Sequence, residues 1–486
     1  MSQAPVPTII EALSDQNLFA PHFRGLDTTW RPWIGFLKVL FGLPLTEDEL
    51  TLYRECTGRM DPRPGGYTEA WLIIGRRGGK SRILALIAVY LAAFRDFRAY
   101  LSPGERGTIM IIATDRRQAR VIHRYCRALI KQTGLLAGLV ERETDTTLDL
   151  SSGVSIEVQA GSWRGTRGYT LVAALCDELA FWRSDETAAN PDSEILAAIR
   201  PSMATVPGAV LLCASSPYAR RGELWNAYRR CFGVEDAPAL VWQRDTAGMN
   251  PSVPTSIIRA AYEADPQAAG AEYGAEFRSD LEAFLSQEAI SAVVARGRRE
   301  NRPAGDVNYY AAVDPSGGVA DSFTLAIGHL SRDTVVVDAV REISPPFNPD
   351  STVGELAALL KSYQIHRVTG DRYAGEWPRA AFRAHGIDYR LNDAPASDLF
   401  RDLLPVINSG RIELPDFQPR LVAQLCQLER RTSRTGKDAI GHPPGGHDDI
   451  ACAVAGLAKV LAKRQLSALQ PARRRPSPIC IPIFKR

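Results

Sequence analysis

The chain has 486 residues, more than one hydrophobic core usually serves, so two large domains are expected. Apolar and charged fractions of 45% and 23% fit a soluble globular protein, and a net charge of +3 is too small to argue for a nucleic-acid partner by itself. The longest apolar runs, such as Ile83 to Phe94, are too short to span a bilayer. The N-terminal residues MSQAPVPTIIEALSDQ lack a basic segment followed by an apolar core, so neither membrane insertion nor export is expected. Eight scattered cysteines without a CxxC pair point to a reducing compartment and to no zinc site.

In chain order, residues 1–29 read as a flexible, partly extended segment, and Trp30-Arg31-Pro32-Trp33 opens an aromatic stretch. From about 71 to 245, strand-length apolar runs alternate with helix-like segments, the rhythm of a parallel sheet covered on both faces. The strands are expected at Ala70–Ile74, Thr108–Ala113, Ser155–Gln159, Leu171–Cys176 and Ala209–Ala214, with helices at Ser81–Phe94, Arg117–Thr133 and Asp192–Ile199. A linker over 249–303 is expected to be helical from Glu263 to Phe277. A second unit, 304–465, opens with strands at Val307–Val313, Ser322–His329 and Thr334–Val340. It continues with a helix at Val353–Tyr363, a strand at Arg367–Thr369 and a helix at Trp377–His385. Residues 466–486 close the chain as a basic, proline-rich tail.

The segment Gly75-Arg76-Arg77-Gly78-Gly79-Lys80-Ser81 lies between the first strand and the first long helix. A strand, a glycine-rich turn and a helix N-terminus place backbone N–H groups around a polyphosphate. Lys80 is then expected at the terminal phosphates and Ser81 at Mg²⁺. The usual motif has glycine four residues ahead of the Gly-Lys pair, where this chain has Ile74, so a coincidental turn and helix stays open on this segment alone.

Downstream, the apolar run Leu171 to Cys176 ends in Asp177-Glu178. Acids at the end of an internal parallel strand suit a magnesium hydration shell and the polarisation of an attacking water. Asp177 is assigned to the metal and Glu178 to the water; an acidic pair at a helix start is the plainer alternative. Ser215-Ser216-Pro217 follows another strand as a candidate phosphate sensor. Ser162 to Gly168 is a basic loop whose Arg164 and Arg167 suit DNA, a neighbouring subunit's nucleotide, or simply solvent.

The second unit carries three aspartate islands. Asp314 and Asp371 end strands, and Asp448-Asp449 introduces a helix, with Asp449 favoured as its cap and Asp448 as a ligand. Each alone also fits a turn or a cap. Together they supply what two-metal phosphodiester cleavage needs, several carboxylates converging around cations about 4 Å apart. Asp321 is an optional extra ligand or an orienting group, and His447 suits metal or phosphate. The basic stretch 430–437, with Lys437 nearest the aspartates, reads as a loop that guides a phosphate backbone or as a solvated turn.

Across residues 30–465 this ordered set resembles the large subunit of tailed-bacteriophage terminases, encoded by a phage or prophage. Arg76 with Gly79-Lys80-Ser81 is similar to the family's variant cradle, which turns the departure at Ile74 into support. Asp177-Glu178, Ser215-Ser216-Pro217, Asp314, Asp371 and Gly446-His447-Asp448-Asp449 resemble its remaining signatures. The resemblance implies an α/β architecture: an N-terminal P-loop ATPase of the ASCE type with a parallel sheet core, a helical linker and a C-terminal RNase H-like mixed-sheet nuclease. It implies ATP and Mg²⁺ as cofactors, with Mn²⁺ able to substitute in the nuclease. Its implied partners are double-stranded DNA, the portal protein of a procapsid, the small terminase subunit and further copies of the chain in a ring. The setting would be the host bacterial cytoplasm. A helicase or transposition-type ATPase with an attached nuclease is the alternative, although a helicase would be expected to show a second ATPase-like sheet after residue 250. A scaffold protein with decayed sites is disfavoured by the intact Lys80, Asp177, Glu178, Asp314 and Asp371.

Overall fold

The structure is a computed structural model that describes residues 6–113, 116–160, 168–182, 191–319, 321–371, 376–432, 438–443 and 446–469. Arg164, Arg167, Lys437 and the tail 470–486 lie outside the described residues. The chain forms two compact units, Met1–Glu282 and Ala283–Arg486.

The first unit is built on eight strands: β1 (Glu69–Ile74), β2 (Gly107–Ala113), β3 (Val140–Glu143), β4 (Thr147–Leu150), β5 (Val154–Ala160), β6 (Thr170–Asp177), β7 (Val210–Ser215) and β8 (Leu240–Arg244). They lie in the order β3-β4-β5-β2-β6-β7-β1-β8. The six from β5 to β8 in that order run parallel, and the β3–β4 and β4–β5 pairs are antiparallel. Both faces of the parallel part are buried, which explains the unbroken apolar runs. Ala70, Leu72 and Ile74 of β1 enter one core with Ile109 and Ile111 of β2, while Trp71 and Ile73 enter the other with Met110 and Ile112.

Four N-terminal helices precede or follow β1: α1 (Ile9–Ser14), α2 (Arg31–Leu40), α3 (Glu47–Thr57) and α4 (Lys80–Phe94); α5 (Arg116–Gln132) follows β2. The extended conformation expected for the N-terminal residues gives way to helix at α1. Thr8 and Glu11 form a reciprocal capping box there, and Ile9, Ala12, Leu13, Phe19 and Phe23 join the core. The single helix expected over Glu263–Phe277 is also corrected. Helices Thr255–Ala264 and Pro266–Glu272 meet at Asp265, whose side chain caps the second, because Pro266 lacks the N–H that would continue the first.

In the chain's second half, after the short strands β9 (Leu281–Ala283) and β10 (Val294–Ala295), come β11 (Tyr309–Asp314), β12 (Phe323–Ser331) and β13 (Thr334–Ile343). They are followed by β14 (Arg367–Gly370), β15 (Asp388–Leu391) and β16 (Ile412–Pro415). The sheet order is β10-β16-β13-β12-β11-β14-β15. The pairs β11–β12 and β12–β13 are antiparallel, whereas β11–β14 and β14–β15 are parallel, so the sheet is mixed. Helix Pro349–Ser362 packs on one face through Val353, Leu356 and Leu360, and helix Asp449–Leu469 on the other through Val454, Leu457 and Leu461.

Two expectations at the C-terminal end change. Arg430–Thr432 belong to strand β17 (Glu429–Thr432), paired antiparallel with β18 (Asp438–Gly441), rather than to a loop. Glu429 and Arg431, two residues apart, share one face of the strand, where the buried Glu429 carboxylate lies 3.4 Å from the Arg431 guanidinium. The last helix continues through Leu469, so residues 466–469 are helical and not part of a tail. Among the described residues no helix is long and apolar enough to cross a membrane.

Candidate phosphate and metal sites

Parallel pairing brings the carboxyl ends of β1, β6 and β7 side by side, because β7 pairs with both β1 and β6. The turn after β1 delivers Lys80 and Ser81 at the start of α4. Gly79 has φ +101°, and a Cβ there would lie 3.0 Å from the Trp33 indole nitrogen, so backbone conformation and space both require glycine. The Trp33 Nε1–H donates to the Gly78 carbonyl at 2.8 Å, tying α2 to the turn. Across it, the Thr246 hydroxyl donates to the Arg76 carbonyl and the Asn250 amide to the Arg77 carbonyl, each at 2.8 Å. The Arg76 side chain pairs with Glu272 at 3.0 Å. The turn is therefore held by side chains remote in sequence, and beside them the Gly75, Arg76 and Gly78 N–H groups donate to the Arg244, Glu272 and Gly75 carbonyls.

Lys80 is 5% exposed and donates to the Ile74 carbonyl at 2.9 Å and to Ser216 Oγ at 3.0 Å. Its ammonium also lies 3.7 Å from a Glu178 oxygen. Ser81 donates to Asp177 Oδ2 at 3.1 Å, while Asp177 Oδ1 is buried and accepts no hydrogen bond. Burial and then the neighbouring Glu178 push the Asp177 carboxyl up to about 7, and Lys80 and Ser81 act in the opposite direction. A buried, half-satisfied carboxylate beside a serine hydroxyl suits a divalent cation. Glu178 has φ 51°, a left-handed conformation uncommon for glutamate, and its Oε2 meets Ser215 Oγ at 3.3 Å and the Ser216 N–H at 3.4 Å. Lys80, Ser81, Asp177, Glu178, Ser215 and Ser216 thus form one contiguous polar cluster at the sheet edge.

In the mixed sheet, Asp314 ends β11, and Asp371 directly follows β14. These strands are parallel neighbours with Val313 opposite Gly370, so the two aspartates leave the same edge. Gly370 is needed for this approach, because a Cβ would fall 2.2 Å from the Tyr389 hydroxyl, which donates to the Asp371 carbonyl at 2.8 Å. The carbonyl of Asp449 accepts from Thr324 on β12 at 2.7 Å, and the Ala451 N–H donates to Gln424, which fixes the last helix against that edge. Burial holds the Asp314 carboxyl well above the usual carboxylate range, reinforced by Asp371, Asp449 and Asp448 in that order. The other three predicted acids therefore all lie within electrostatic reach of Asp314.

The helix start reverses the expected cap. The Asp448 carbonyl accepts from the Cys452 N–H at 2.7 Å and the helix begins at Asp449, so Asp448 occupies the N-cap position. Asp448 Oδ2 accepts from the His442 N–H at 3.2 Å. Asp449 Oδ2 is buried without a hydrogen bond, 3.8 Å from His447 Nδ1, which lies 3.7 Å from Asp321 Oδ1. Burial pushes the Asp449 carboxyl up to about 6; His447 opposes this and Asp321 adds to it. Ligand atoms of Asp321, His447 and Asp449 all lie within 4.8 Å of one another, a spacing one cation can bridge. The short sequence distance of His447 from Asp449 signalled its place; that of Asp321 depended on the β11–β12 turn. Trp33, Thr246 and Asn250 were missed, and no local pattern marks them.

Comparison with known proteins agrees in outline only. No family model matches the sequence, and no curated protein matches it. Among solved structures, the chain is similar to the large terminase of bacteriophage HK97, with TM-score 0.37, 15% identity, and 82% of this chain and 92% of that one covered. It is similar to the large terminase of a thermophilic bacteriophage in complex with ATP-gamma-S, with TM-score 0.35, 12% identity and coverage of 80% and 93%. Part of it is similar to the magnesium-bound large terminase nuclease of thermophilic phage G20c, with TM-score 0.32, 18% identity and coverage of 36% and 96%. Likenesses this distant carry no weight for function, which has to be argued from the side chains.

Proposed function

We propose that the chain is a viral genome-packaging motor subunit that hydrolyses ATP to move double-stranded DNA into a procapsid and cuts that DNA with a two-metal endonuclease. The observation that supports this best is the presence in one chain of two separate centres, one with a lysine among hydroxyls and acids and one made of four aspartates. The division is an ASCE-type ATPase domain over 30–248, on whose core the N-terminal helix α1 packs, a linker over 249–303 and an RNase H-like nuclease domain over 304–465. The position of β7 between the cradle strand β1 and the acid strand β6 supports the first assignment.

In the ATPase, the turn Gly75–Gly79 receives the phosphates on backbone N–H groups, and Lys80 exchanges the Ile74 carbonyl and Ser216 for phosphate oxygens. Ser81 and Asp177 hold Mg²⁺, which when bound neutralises charge on the phosphates. Glu178 orients a water and accepts its proton, while Ser215 and Ser216 hold the Glu178 carboxylate in reach of Lys80. In the nuclease, Asp314, Asp371, Asp448 and Asp449 hold Mg²⁺ or Mn²⁺ ions, which when bound supply a hydroxide nucleophile and stabilise the leaving oxygen. Asp321 and His447 hold Asp449 in position or complete its ligand set. The duplex, the portal protein and the small terminase subunit are the partners, the chain works as a ring when docked, and the setting is the host bacterial cytoplasm.

The decisive experiment measures ATP hydrolysis, Mn²⁺-dependent plasmid cleavage and DNA uptake by matching procapsids with the same purified chain. All three activities are expected. Cleavage and hydrolysis with strand separation in place of uptake would support the helicase alternative.

A further inference from the structure

The outward face of α5 carries Arg117, Arg120, Arg124 and Arg127, at spacings of three and four residues that stack them in one row. The row is about 15 Å long at about 1.5 Å per helical residue. It lines a cavity of about 340 Å³, together with Thr144 and Asp145. Arg127 and Lys131 share Glu143 at 2.6 and 2.5 Å, but Arg120 and Arg124 have no carboxylate partner among the described residues. Like charges at these spacings weaken a helix, and an exposed helix face normally alternates their sign. A second observation comes from His123, which lines the same cavity, is 3% exposed, and has a buried Nε2 without a hydrogen-bond partner. Burial, with help from Arg127, holds its imidazole below the usual histidine range against Glu143 and Asp145, so the ring is neutral at pH 7 and offers one N–H.

We propose that this face of α5 is a docking surface for the sugar-phosphate backbone of duplex DNA. The arginine row is as long as roughly four base-pair rises of about 3.4 Å along a duplex axis, longer than a single free phosphate needs. Phosphates along the row relieve the repulsion between the arginines, and one of them accepts from the neutral His123. Contacts of this kind carry no base information, as a protein moving along DNA requires. The ligand follows from the function proposed above, while the place of contact is independent of the lysine and aspartate centres.

The test uses the full chain and a fluorescent duplex of random sequence, about 30 base pairs long, titrated from about 50 to 200 mM salt. Arg120→Ala with Arg124→Ala should weaken binding at least about tenfold at low salt and lower the slope of log K against log salt by about two, since each lost phosphate contact removes about 0.9. Arg24→Ala with Arg229→Ala, which removes equal charge from other exposed positions of the same unit, should change binding less than about twofold. DNA-independent ATP hydrolysis should stay at its starting rate in both. Unchanged affinity and slope in the α5 variant, or an equal loss in the control, overturns the inference while plasmid cleavage and ATP hydrolysis still support the function. Direct binding of tripolyphosphate, with no duplex binding at any salt concentration, would replace DNA with a free oligophosphate and overturn both.

Discussion

The two acidic centres solve the same electrostatic problem in opposite ways. At the first, Asp177 and Glu178 share their surroundings with Lys80, an internal cation 3.7 Å from Glu178, so part of the charge is balanced before any ligand arrives. At the second, Asp314, Asp371, Asp448 and Asp449 converge, and among the described residues the charged groups that act most strongly on Asp314 are the other three acids. Protons do the balancing there, which is why burial and mutual repulsion raise Asp314 and Asp449, and burial raises Asp448 with them. The first centre carries a buried lysine among its acids, whereas at the second the half-exposed His447 lies beside Asp449 and the charges acting on Asp314 are those of other acids.

The sharpest way to break this comparison is to remove the internal cation. Lys80→Ala and Glu178→Gln should each lower ATP turnover by about 10³-fold while plasmid cleavage stays within about twofold. Glu178→Gln should still bind ATP, measured by fluorescent-nucleotide titration; wild-type turnover in it would refute the water-orienting role. Asp314→Asn and Asp371→Asn come next, with cleavage falling at least about 10²-fold, bound Mn²⁺ falling in parallel, and ATP hydrolysis retained. Full cleavage by Asp314→Asn would remove the two-metal reading.

Within the last pair, Asp449→Asn should cost more metal affinity than Asp448→Asn. Asp449 has the unpartnered buried oxygen and acts on Asp314 more strongly, while Asp448 already accepts from the His442 backbone. Isothermal titration with Mn²⁺ would reveal the reverse order.

Proton balance predicts a pH dependence. Folding raises the Asp449 carboxyl from its ordinary 3.8 to about 6, so its contribution to stability is full below about pH 4 and is lost as pH rises through about 6. In EDTA, thermal unfolding of Asp449→Asn should therefore improve relative to the unmodified chain between about pH 4 and pH 7. Added Mn²⁺ should erase that advantage, because metal takes over from the protons. A relative loss over that range would contradict the sign. The smallest effect is expected from Trp33→Phe. Losing the bond to the Gly78 carbonyl should cost about 1 kcal/mol and raise the KM for ATP a few-fold with little change in kcat.

Where chemistry sits at the end of a regular element, the sequence was a good guide. Strands β1, β2, β6 and β7 announce themselves as apolar runs because both sheet faces are buried, and Lys80, Asp177 and Asp314 stand where regular elements begin or end. Local composition also marked the helix after Asp448-Asp449, though not its cap, since a one-residue shift exchanges the two acids. Tertiary structure alone decided that β7 lies between β1 and β6 and so sets Ser216 against Lys80, 136 positions away. It likewise decided that Trp33, Thr246 and Asn250 grip the phosphate turn, and that Asp321 reaches His447. Periodicity records which face of an element is buried; strand order and long-range hydrogen bonds depend on how elements pack, and a pattern local to the chain holds no trace of them.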